Sequence, residues 1–240
     1  MAGCRHSQRR GDHAASQVAV QTDRVDLQPA VVLAAVVAAI GVGVPGVWRW
    51  TRHVVTIAHE GAHGVVALMT GRRLAGIRLH SDTSGVTVSV GPRRGPGMVA
   101  VLLAGYPGPA LLGLGAALLL SAGRVTELLW GLVAALALLL VQIRNWFGLL
   151  PVLVTGLVVL AVTLWTPVDV QQGFAHAVVF FLLLAAPRPV LEMQAKRSRR
   201  RRDSDADQLA RLTHVPGILW VGFFLLVTLG ALAAGVLVLV

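Results

Sequence analysis

His59, Glu60 and His63 stand in the arrangement His-Glu-x-x-His. On an α-helix, side chains four residues apart lie about 40° apart around the axis and one turn apart along it. Two imidazoles so placed can hold one Zn²⁺, and a glutamate beside them can take a proton from water at the metal. The chemistry this permits is hydrolysis, with zinc polarising a scissile carbonyl and Glu60 moving protons. The pattern is short enough to recur by chance, so its surroundings matter. It lies in an apolar stretch, 53–70, where a glutamate and two histidines are expensive unless they serve a site. The bland alternative is a set of polar residues facing the interior of a helix bundle. His53 falls near the angular face of Glu60 but almost two turns away, and reads as interfacial rather than as a ligand.

The elements that must position this motif are membrane helices. Of the 240 residues, 55% are apolar and 13% charged, with a mean hydropathy of +0.73. Soluble domains carry about 25% charged residues, so this chain has too few polar side chains to clothe a water-soluble globule. Apolar stretches long enough to cross ~30 Å of hydrocarbon run at 30–47, 53–70, 97–121, 125–143, 147–165, 171–187 and 216–239. The reading is an all-α polytopic membrane protein of about seven transmembrane helices, multi-pass in the plasma membrane. Residues 1–27 read as a disordered cytoplasmic tail rather than a signal peptide, and 28–240 as the integral membrane domain. Within it, residues 74–91 carry the alternating Val86, Val88, Val90 behind the turn Ser81-Asp82-Thr83-Ser84-Gly85. That pattern predicts a small cytoplasmic β-hairpin between the second and third spans.

Charge gives an orientation. A net charge of +10 could suggest nucleic acid, but 18 of the 21 Lys and Arg fall in the tail, 71–96, 144–146 and the basic loop 188–215. Only Arg49, Arg52 and Arg124 fall on the opposite face when the N-terminus is inside. Sorting of this kind is the positive-inside signature, and it points to no nucleic-acid partner. The run Lys196-Arg197-Ser198-Arg199-Arg200-Arg201-Arg202 suits contact with anionic lipid of the bilayer. A single cysteine, Cys4, excludes internal disulfides and thiolate metal clusters.

These features together resemble the site-2 proteases, intramembrane zinc metalloproteases. The His-Glu-x-x-His motif lies in a membrane span, a β-hairpin follows it, and the next span carries Gly105-Tyr106-Pro107-Gly108-Pro109. The Asp203–Leu209 segment with Thr213, Pro216 and Trp220 is similar to the B-type, actinobacterial-looking branch. The resemblance implies a zinc-dependent endopeptidase of regulated intramembrane proteolysis. It would cut a membrane-embedded substrate segment, with His59 and His63 as metal ligands and Glu60 as general base.

The resemblance also implies a third ligand from an Asn-x-x-Pro…Asp-Gly segment. Here Arg144-Asn145-Trp146-Phe147-Gly148-Leu149-Leu150-Pro151 echoes its outline without an aspartate. A catalytic zinc usually takes three protein ligands and one water. Helix rise places His63 roughly 10 Å inside the end of its span at Thr70, towards the side that carries Asp203, Asp205 and Asp207. Position favours Asn145, whereas chemistry favours an anionic oxygen, and Asp205 is the expected ligand with Asn145 the alternative. The bland reading of Asp205 and Asp207 is helix capping, with Ser204 and Asp207 spaced as a capping box. The missing aspartate also leaves room for an inactive relative that acts as a membrane scaffold or chaperone. The many spans leave room for a proton or metal transporter, although no matched broken helices suggest inverted repeats.

Overall fold

A computed structural model of the chain describes residues 29–198 and 204–239. Its elements in chain order are α1 (Pro29–Gly43), α2 (Pro45–Met69), β1 (Arg73–Leu79), β2 (Gly85–Val90), α3 (Pro96–Ala104) and α4 (Pro107–Ser121). Then follow α5 (Val125–Gln142), α6 (Trp146–Trp165), α7 (Val168–Ala185), α8 (Pro187–Ser198), α9 (Asp205–Thr213) and α10 (Gly217–Leu239). The expected tail, 1–27, and Asp203 lie outside the described residues.

Prolines set the breaks. Pro45 and Pro107 each open a helix, where their missing N–H costs nothing and their fixed φ is already helical. The chain turns by 99° between α1 and α2 and by 66° between α3 and α4. Among the described residues, four helices are long and apolar enough to cross a membrane, or up to six spans if each bent pair is one. The expectation is about seven. Stretches 30–47 and 53–70 count as two crossings by hydropathy, whereas α2 already begins at Pro45 and pairs with α1 around the bend. The hydropathy pattern marks apolar length and is blind to such a turn.

The bundle core lies among α4, α5, α7 and α10, where Ala110, Ala117, Leu129, Val179, Leu183 and Ala231 pack together. Small residues let the helices approach closely: a Cβ on Gly113 would lie 3.1 Å from both Leu182 and Leu183.

The hairpin is antiparallel, with Ile77 opposite Thr87, Leu79 opposite Gly85 and a bulge between Leu74 and Gly76. At its tip Thr83 takes a left-handed φ of 65°. Asp82 there accepts hydrogen bonds from the Ser84 hydroxyl (2.6 Å) and N–H (3.0 Å), which hold its carboxyl below the usual range. The hairpin lies along α2 instead of extending free beyond it. Thr56 Oγ1 donates to the Thr83 carbonyl at 3.0 Å, and Ile77 and Leu79 are buried with Ile57, Ile143 and Val152. Val86, Val88 and Val90 face outward, while Gly85, Thr87 and Ser89 are half-buried on the α2 side.

Candidate metal centre

α2 carries His59, Glu60 and His63 in the middle of its 25 residues, and both Glu60 and His63 are buried. The helical spacing brings the two Nε2 atoms to 3.1 Å. His63 Nδ1 lies 2.7 Å from the Val101 carbonyl. That carbonyl belongs to the last turn of α3, where helix geometry leaves acceptors unfilled. Donation of the Nδ1 proton to it fixes the tautomer, so that Nε2 presents a lone pair. His59 is steadied by Tyr106, edge-to-face at 4.7 Å between ring centroids.

Asp205 reaches the same point from α9. Its Oδ2 lies 3.4 Å from His59 Nε2 and 3.3 Å from His63 Nε2. The delivery is local chemistry: Ser204 and Asp207 form a capping box, with the Ser204 hydroxyl 2.7 Å from Asp207 Oδ2. That box fixes the first turn of α9 and leaves Asp205, its first residue, pointing at the imidazoles.

Whether these residues fit a metal can be judged from distances. Zinc bonds to imidazole nitrogen and carboxylate oxygen are about 2.0–2.2 Å long, which puts neighbouring ligands of a tetrahedral site about 3.3 Å apart. The three separations here are 3.1, 3.3 and 3.4 Å. Asp205 Oδ2 is also buried without a partner in hydrogen-bond geometry, although it lies within ion-pair distance of both rings. A buried anionic oxygen of this kind calls for a cation. The group therefore fits a zinc ion.

Asn145, the alternative ligand, is engaged elsewhere. Its Oδ1 accepts from the Leu79 N–H at 3.1 Å and its Nδ2 donates to the Leu79 carbonyl at 2.6 Å. Together with the Arg144 N–H on the Ile77 carbonyl (2.9 Å), this closes the outer edge of β1. The side-chain amide thus stands in for a strand backbone. His53 sits apart as well, with its ring 5.9 Å from Phe147.

The cavity at the site, about 610 Å³, is lined by His59, Glu60, His63, Thr87, Tyr106 and Asp205 and extends past Arg52, Glu192 and Lys196. Several of its features escaped the sequence reading. Gly105 opens the Gly-Tyr-Pro-Gly-Pro stretch, and a Cβ there would lie 2.5 Å from His63 Cε1 and 2.6 Å from His59 Cε1. Thr87 donates to Glu60 Oε2 at 2.6 Å. The only signals for either were a glycine in a proline-rich turn and a polar residue alternating with valines.

A polytopic helical membrane protein in which a buried histidine, a half-buried histidine and a half-buried aspartate could share one metal ion is the class that fold and site define. The sequence profile described as Peptidase M50B-like matches residues 32–235, and the chain belongs to that family. The site-2 protease resemblance agrees with this, and the M50 families are zinc metalloproteases. Comparison with curated proteins gave no match, and comparison with solved structures gave none.

Proposed function

We propose that this chain is a zinc-dependent intramembrane endopeptidase that hydrolyses a peptide bond in or next to a membrane-embedded substrate segment. His59, His63 and Asp205 would hold the metal, and Glu60 would act as general base. The observation that carries the reading is the set of three ligand atoms at tetrahedral spacing, with a buried glutamate next in sequence to His59. When bound, Zn²⁺ supplies Lewis acidity towards water and the scissile carbonyl.

The chain's own residues do the rest. Glu60 takes the proton of the attacking water and returns it to the leaving nitrogen. Asp205 would contribute the anionic oxygen that the Asn145 segment lacks, which supports an active enzyme over an inactive scaffold. Arg72, Arg73, Arg93 and Arg94 fall in the segments around the end of α2 that leads into the hairpin, where Arg72 donates to Ser89 and Pro92. Positive-inside sorting would make that end cytoplasmic in the plasma membrane.

The test is metal content and cleavage on detergent-purified full-length protein, with a quenched-fluorescence peptide library as probe. About one zinc per chain is expected. Glu60→Gln should keep the metal and lose cleavage by at least ~100-fold, because the base is not a ligand. A wild-type protein that binds no zinc would overturn the reading.

A further inference from the structure

We propose that Thr87, with Gly85 beside it on the same face of β2, forms a seat that positions the Glu60 carboxylate. The inference rests on the peptidase reading, because it concerns the base of that reaction. It gives the hairpin a role inside the catalytic apparatus that neither the motif nor the fold assigns.

The argument begins with freedom. A glutamate side chain has three rotatable bonds, and a general base must be held within a fraction of an ångström to act. Nothing in α2 itself restrains Glu60. Thr87 Oγ1 lies 2.6 Å from Glu60 Oε2 and 3.0 Å from the Glu60 backbone carbonyl. A hydroxyl has one proton to give. The shorter contact, to the anionic oxygen, takes it, in the range of a charge-assisted hydrogen bond. One carboxylate oxygen is thereby fixed and the other is left for water.

Gly85 completes the seat by being empty. A Cβ there would lie 2.5 Å from Glu60 Oε1 and 2.7 Å from Cδ, so only glycine lets the carboxylate rest against the strand. Residues 85 and 87 share a face because side chains alternate along a strand. The donor is itself stiff: threonine is β-branched, with few χ1 rotamers. Thr87 pairs with Ile77 on β1, and the edge of β1 is held by Arg144 and Asn145. A continuous chain of contacts thus runs from the start of α6 through both strands to the base.

The rival account is that Thr87 only ties the hairpin to α2. Thr87→Val, which keeps the shape and β-branching, separates the two from Thr87→Ser, which keeps the hydroxyl. Turnover of the quenched-fluorescence peptide by Thr87→Val should fall roughly 10- to 100-fold in kcat with KM unchanged. Thr87→Ser should stay within about threefold of wild type, and zinc content should be unchanged in both. Gly85→Ala should lower kcat in the same way from the other side of the seat, again with zinc retained.

A second readout needs no turnover. The chain has three glutamates, Glu60, Glu127 and Glu192, so isotope-labelled glutamate gives a readable infrared carboxylate region. The Glu60 band is the one lost in Glu60→Gln. It should shift in Thr87→Val and stay in place in Thr87→Ser. An unshifted band in Thr87→Val, an unchanged kcat there, or loss of zinc alongside activity would each overturn the proposal. Absence of zinc and cleavage in the wild type would instead break the peptidase reading. The infrared band would still report whether Thr87 holds Glu60.

Discussion

Arg52 on α2 and Glu192 on α8 form an ion pair of 3.0 Å, and Trp48 donates its indole N–H to the same carboxylate at 3.0 Å. Arg188 joins them: its Nε is 3.2 Å from Glu192, its guanidinium lies 4.5 Å from the Trp48 ring centroid, and it also donates to the Val42 carbonyl. The first half of α2 therefore sits at the level of α8, although the charge count sends Arg52 and Glu192 to opposite faces of the bilayer. The cluster also ties the motif-bearing helix to the helix that leads to Asp205.

Accessibility from the two sides of the membrane follows from this pairing. On a Cys4-free background, single cysteines replacing Trp50 (78% exposed) and Leu191 (57%) should label from the same side. A cysteine replacing Trp165 (79% exposed), at the far end of α6, should label from the other. Continuous α7 and α8 separate Val168 from Glu192 by about 36 Å of helix rise. Opposite-side labelling of positions 50 and 191 would contradict the contact.

The ligand assignment predicts equivalent losses at three positions. Alanine at His59, His63 or Asp205 should each release zinc to a chelator at least ~10-fold more readily than wild type. Alanine at Asp207, which is not one of the three ligands, removes a partner of the capping box at a cost of about 1 kcal/mol of helix stability, and should leave retention nearer to wild type. Unchanged retention in Asp205→Ala would return that residue to a purely capping role.

Gly105→Ala should damage the centre although alanine is the better helix former. Its Cβ would press on both imidazoles. The expected result is a loss of zinc retention comparable to that of a ligand variant while helicity by circular dichroism is preserved. Retention equal to wild type would mean that α3 and α4 can shift away at little cost.

Asn145→Leu removes both hydrogen bonds to Leu79, each worth about 1 kcal/mol. Hydrogen exchange at the Leu79 amide should accelerate and peptide turnover should fall, while zinc content stays at the wild-type level. Zinc loss in this variant would reinstate Asn145 as the third ligand.

Much of this protein was written in local sequence. The His-Glu-x-x-His spacing put two imidazoles and a carboxylate on one helix, because helical geometry depends only on positions along the chain. Apolar runs marked nearly every helix, the valine alternation marked the hairpin, and Ser204 with Asp207 marked the start of α9. All of these are interactions within a few residues.

Tertiary structure decided what distant residues do to one another. Pro45 falls inside the apolar stretch 30–47, and only the folded chain shows the 99° turn there, which sets Trp48 and Arg52 against Glu192. Asn145 kept its place in the expected segment, but its amide pairs with a strand edge 66 residues away. Thr87 stands between valines and Gly85 ends a turn, and only packing lays their shared face on Glu60. Asp205 could be named from chemistry, since an anion suits zinc, yet only the fold of α8 and α9 against α2 brings its oxygen within 3.4 Å of both histidines. A period or a cap is fixed by near neighbours, whereas contacts across the bundle depend on which surfaces pack together.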